Sequence, residues 1–143
     1  MFHGVPKSVV LASLLGLIPM LMGLFSTFNI GLSESLQEDF IRVALIYSGF
    51  ILAFMSGCIF YVSSIERERS LLLWLSITPV LLAILSIIIP FMQSFVLALG
   101  FLVVLEIERK LHKGKSLPEW WLNLRFPMTS IVVVLLIILG FRV

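Results

Sequence analysis

LLLWLSITPVLLAILSIII, Leu71–Ile89, runs for 19 residues without an acidic, basic or histidine side chain. At about 1.5 Å of rise per residue it reaches about 28 Å as a helix, close to the ~30 Å hydrocarbon core of a bilayer. Four more stretches read the same way: Val9–Ile30, Phe40–Ile65, Phe91–Leu105 and Phe126–Phe141. None holds an acidic, basic or histidine residue near its middle. The predicted fold is therefore all-α: a polytopic membrane protein with five transmembrane helices, forming a single domain over residues 1–143.

Composition agrees. Of 143 residues, 60% are hydrophobic and only 13% charged, and the mean hydropathy is +1.16; soluble domains are nearer half apolar and a quarter charged. Five spans with short loops consume the length, so no soluble domain is expected. The net charge of +2 fits basic residues gathered on one side of a membrane. A nucleic-acid partner is not expected, because it would need a basic patch clear of the bilayer. Cys58, the lone cysteine, cannot form an intrachain disulfide and reads as a small packing residue within the second span. Lys7 before an apolar run resembles a signal peptide. The run is too long for that and lacks a small-residue cleavage site, so a retained first helix is expected.

Local signals refine the spans. Pro6 suits a helix start and Asn29–Gly31 a stop. Pro19 removes the bond to the Leu15 carbonyl and should bend span one, while Gly16 and Gly23 keep one side of it small. Ser35-Leu36-Gln37-Glu38 matches a capping box at the start of span two. Gly49, Ala53 and Gly57, four residues apart, predict a stripe for close helix packing. Glu66–Arg69 reads as a solvated charged turn. Trp74 suits the interface. Thr78-Pro79 predicts a mid-span kink, with Ser76 and Thr78 helping to satisfy freed carbonyls. Pro90 ends span three and sets up a tight hairpin.

Span four, Phe91–Glu106, covers only about 24 Å. Its helix is expected to continue into water through Glu106, Glu108, Arg109, Lys110 and Lys113, with Glu106–Lys110 and Glu108–His112 as i,i+4 neighbours and Gly114 as the stop. Ser116-Leu117-Pro118-Glu119 is a second capping-box match. Leu117, Trp120, Trp121 and Leu124 then share one apolar face. That pattern predicts a short interfacial helix over 117–124, anchored by Trp120, Trp121 and Arg125 and ended by Arg125 and Pro127.

With the amino terminus inside, eight basic residues (Lys7, Arg67, Arg69, Arg109, Lys110, Lys113, Lys115, Arg125) lie inside and two (Arg42, Arg142) outside. The positive-inside rule therefore predicts the carboxyl terminus outside.

Several segments in order resemble a small bacterial and mitochondrial inner-membrane family of unknown function, the one that includes transmembrane protein sixty-nine. They are Val5-Pro6-Lys7-Ser8 with Gly16-Leu17-Ile18-Pro19; Tyr47 with Ile51-Leu52-Ala53-Phe54 and Gly57; Trp74 and Pro79; Leu117-Pro118-Glu119-Trp120-Trp121; and Leu124-Arg125-Phe126-Pro127-Met128-Thr129. Members often carry a His-Trp pair where this chain has Ile59-Phe60. The resemblance implies an inner-membrane location and a five-helix fold, and no established activity.

The chemistry-bearing residues are sparse. His3 and His112 fall at the inner surface, too isolated for haem or a metal. No base sits at membrane depth beside a nucleophile, and no phosphate loop or dinucleotide fingerprint occurs. Glu106 is the acidic group expected nearest a span, read as a snorkelling, ion-paired helix end. Neither catalysis nor a cofactor is expected. The expected partners are membrane lipids and other integral membrane subunits. The leading expectation is an accessory or assembly subunit of a larger membrane complex, respiratory or photosynthetic by the family's distribution. The alternatives are a small-solute transporter with spans broken at Pro19 and Pro79, or a lipid- or quinone-binding membrane protein.

Overall fold

A computed structural model describes residues 2–28, 31–65 and 70–143. Within them the chain is helical: α1 (Lys7–Leu15), α2 (Ile18–Ser26), α3 (Glu34–Ile65), α4 (Ser70–Leu75), α5 (Thr78–Ile88), a 3-10 turn (Pro90–Met92), α6 (Gln93–Lys113) and α7 (Trp121–Arg142). Joined across their breaks, these give five helices long and apolar enough to cross a membrane, starting at Lys7, Glu34, Ser70, Pro90 and Trp121. The chain is a multi-pass membrane protein. The charged turn Glu66–Arg69 and the stop residues Asn29 and Ile30 lie outside the described residues.

α3 is the spine. It packs against α2, α4, α5 and α6, while α6 also packs against α5 and α7, and α7 closes onto α2 and α1. Both prolines expected to bend spans break them, at Gly16–Leu17 and at Ser76–Ile77. The next carbonyls along, opened by the breaks themselves, are met from α3. Tyr47 Oη donates to the Gly16 carbonyl at 2.8 Å, and Ser56 Oγ donates to the Ser76 carbonyl. In each case the carbonyl lies three residues before the proline. Ser76 Oγ also donates to the Leu73 carbonyl at 2.6 Å, whose amide partner Ile77 bonds Trp74 instead, so the second break is satisfied jointly by Ser76, as expected, and by a neighbouring helix. This is how proline is tolerated where no water can bond the backbone.

The close contacts differ from the expected stripe. The buried face of α3 carries Ala44, Ser48, Leu52, Ser56, Ile59 and Ser63. Gly49 and Ala53 are half-buried and Gly57 is exposed. Among the described residues, a Cβ at Gly57 would meet nothing within 4 Å, and one at Gly49 only Leu97 at 3.9 Å. The serines take the inner positions because they are equally small and can bond their own helix, as Ser48 Oγ does to the Ala44 carbonyl at 2.7 Å. The glycines that let helices approach are Gly23, where a Cβ would collide with Ala44, Gly100 beneath Leu52, and Gly140, where Phe95 would lie 2.8 Å away. Gly16 lies in the first break, half-buried, beneath the Tyr47 hydroxyl.

The caps are also displaced. α3 starts at Glu34, and Ser33 Oγ accepts from the Leu36 amide at 3.4 Å, so Ser33 rather than Ser35 sits at the cap. α6 ends in a Schellman motif in which the Ser116 amide donates to the Leu111 carbonyl at 3.1 Å and the Lys115 amide to His112 at 2.9 Å. Lys115, with φ 61°, holds the left-handed position that Gly114 was expected to fill.

No separate interfacial helix exists at 117–124. Residues 114–120 form turns, and Trp121 begins α7, which runs unbroken through Arg125 and Pro127 to Arg142. Pro127 stands early in the helix, where its missing donor frees only the Asn123 carbonyl close to the helix start. α7 opens beyond the second capping-box sequence, with no side-chain cap at Trp120, and the Trp121 amide bonds the Pro118 carbonyl at 3.0 Å. At the far end, Arg142 Nε and Nη2 donate to Thr27 Oγ1 and O, each at 2.8 Å, and the guanidinium lies 4.2 Å from the Phe28 ring centroid.

Candidate functional site

One face of α6 carries Leu97, Phe101, Val104, Glu108 and Leu111, all buried. The positions 97, 101, 104, 108 and 111 form one stripe at helical spacing, so Glu108 stands where an apolar side chain belongs. It is fully buried. The turn at 114–120 folds the first turns of α7 back against it. Arg125 Nε donates to both Glu108 oxygens at 2.9 Å, and Trp121 Nε1 donates to Oε1 at 3.2 Å. The Arg125 side chain is 13% exposed. A buried carboxylate is tolerable only with such compensation.

The i,i+4 reading of Glu108 with His112 is therefore replaced by a bond between helices. Glu106, the acid expected to matter, is half exposed and pairs with Arg109 at 2.9 Å. Helix geometry explains the exchange. Two residues apart on a helix lie on nearly opposite faces, so one of the pair 106/108 had to turn inward. The extension of α6 beyond Glu106 occurs as expected, but its inner face meets α7 instead of water.

The expected anchors have partners within the bundle. Trp121 and Trp120 are both half-buried, with ring centroids 5.7 Å apart. Trp121 and Arg125 bind Glu108. Asn123 Nδ2 donates to the His3 carbonyl at 2.9 Å, tying the amino-terminal segment across the start of α7. Trp74 is 71% exposed.

Beside this cluster lies a cavity of about 500 Å³ between α1, α3 and α7, floored by the first helix break. It is within the ~300–1,000 Å³ range of small-molecule sites. Its walls are mainly apolar and aromatic, including Tyr47, Phe54, Phe101 and Trp121. Arg125 and Thr129 also line it, and Arg125 Nη2 and Thr129 Oγ1 are buried with no hydrogen-bond partner among the described residues. The Arg125–Glu108 contact explains the first. Both carboxylate oxygens converge on Nε, which leaves Nη2 out of the usual two-pronged fork. Nothing in the sequence marked this cavity except the proline that breaks span one. Among the described residues no group of three or more His, Cys, Asp or Glu could hold a metal.

A model of the family described as protein of unknown function (DUF3429) matches residues 5–141, so the chain belongs to that family. Comparison with curated proteins and with solved structures finds no match.

Proposed function

We propose that this DUF3429 member is a non-catalytic protein of a bacterial or mitochondrial inner membrane that holds a lipophilic molecule in the cavity between its first and last spans. The single observation behind this reading is the cavity itself, apolar along its walls yet furnished with two buried donors that lack partners among the described residues. Such donors are costly when left unpaired. The eight-to-two distribution of basic residues supports an amino terminus inside and a carboxyl terminus outside.

The test is solvent extraction and mass spectrometry of lipophiles retained by protein purified in mild detergent, comparing wild type with Ala12→Trp. Ala12 lines the cavity from α1 and is exposed, so a tryptophan there can fill the space without displacing a buried residue. Wild type should retain one lipophile class above its bulk abundance, and the variant should lose it. Retention that mirrors bulk membrane in both proteins would defeat the proposal.

A second reading, an accessory or assembly subunit docked on a larger membrane complex, is favoured by the stripe Gly49, Ala53 and Gly57. The bundle leaves it open at Gly57, so a helix from another subunit could approach there. Gly57→Leu should then reduce recovery of a co-purifying integral protein without altering the chain's own stability.

A further inference from the structure

Resting on the lipophile reading above, we infer that the cavity's occupant is a quinone, bound through a carbonyl oxygen to Arg125 Nη2 and Thr129 Oγ1. The polar end of the cavity offers two open donors, of which the Thr129 hydroxyl can also accept. Glu108 Oε1 already accepts from Arg125 and Trp121, and Oε2 from Arg125. Thr129, 1% exposed, makes no bond through its hydroxyl among the described residues, not even to its own helix. A head group that offers an acceptor oxygen therefore fits, since only an acceptor can satisfy Arg125 Nη2.

Charge narrows the class further. Glu108 cancels the Arg125 charge at contact distance. A phosphate placed on Nη2 would sit close to a fully buried carboxylate and be repelled, whereas a neutral carbonyl would not. Thr129 follows Arg125 by four residues, so their side chains share one face of α7 one turn apart. Ring chemistry selects between neutral carbonyls. Tyr47, Phe54, Phe101 and Trp121 line the space with the thioethers of Met20 and Met128. Aromatic and sulfur contacts favour a flat conjugated ring over the flexible ester of a glycerolipid.

The experiment titrates decylubiquinone into the full-length protein in nanodiscs of ether-linked phospholipid, which carry no ester carbonyl, reading tryptophan quenching and thermal shift. Wild type should bind saturably. Thr129→Val, which keeps shape and removes only the hydroxyl, should fold as well as wild type and bind about three- to tenfold more weakly, the loss of one neutral hydrogen bond. Thr129→Ser should restore binding. Unchanged affinity in Thr129→Val, or displacement of the quinone by equimolar diacylglycerol ester, would overturn the assignment. If decylubiquinone fails to bind while Ala12→Trp still strips a retained lipid, the quinone falls and the lipophile reading stands. If Ala12→Trp changes nothing, the lipophile reading falls.

Discussion

Removing the Glu108 carboxylate tests how the bundle holds its last helix. Glu108→Met keeps length and approximate volume but leaves the Arg125 guanidinium, 13% exposed, without a counter-charge. It also leaves the Trp121 indole N–H without its acceptor. Breaking a buried ion pair costs about 3–5 kcal/mol. The indole bond, about 1 kcal/mol alone, shares the same oxygen and does not simply add. Arg125 stands near the start of α7, so its long stem can carry the charge toward the interface and recover part of the loss. The expected destabilisation is therefore about 3 kcal/mol. Arg125→Met should cost at least as much, since Glu108 is fully buried and its shorter side chain cannot escape. The double variant removes both charges and should return to within about 1 kcal/mol of wild type, as apolar replacements of buried pairs do. Equilibrium unfolding in mixed micelles measures all four proteins. Single variants that each lose less than about 1 kcal/mol, or a double variant that loses the sum, would refute the reasoning.

Three further outcomes follow from the packing. Gly23→Leu should destabilise by about 1–3 kcal/mol, because even its Cβ collides with Ala44, while Gly57→Leu should leave thermal unfolding unchanged. Arg142→Ala removes two hydrogen bonds to Thr27 and the contact with Phe28; a loss of about 1–2 kcal/mol is expected, with faster amide exchange at the end of α2 by mass spectrometry. Reporter fusions at Gly114 and Val143 should report opposite compartments, because α7 alone lies between them, and a shared compartment would show that it does not span.

The five spans and both proline breaks were legible because hydropathy and missing backbone donors act locally. What the sequence hid was rotation. Gly49-Ala53-Gly57 and Ser48-Leu52-Ser56 are adjacent stripes on one helix, and periodicity cannot say which turns inward. Packing with α5 and α6 decides it. The same one-step ambiguity hid Glu108 behind Glu106, although the run 97, 101, 104, 108, 111 did contain the signal. Trp120-Trp121 resembled an interfacial helix because the pattern of 117–124 is apolar on one side, and only the α6–α7 contact shows that α7 begins inside it. Of the cavity only the proline break on its floor was legible, since the rest is a gap between residues distant in the chain.

The two proline breaks also bear on how the chain is built. Each leaves a carbonyl that hydrocarbon cannot satisfy, and an orphaned backbone group there costs several kcal/mol. The first span emerges from a ribosome with the Gly16 carbonyl open, and its donor, Tyr47, arrives only with the next helix. By the time Ser76 appears, Ser56 is already in place to receive it. The long second span thus acts as a template that must enter the bilayer before either neighbour can settle. Insertion of the first two spans as a hairpin, followed by capture of the third, is the order that leaves the fewest polar groups waiting in lipid.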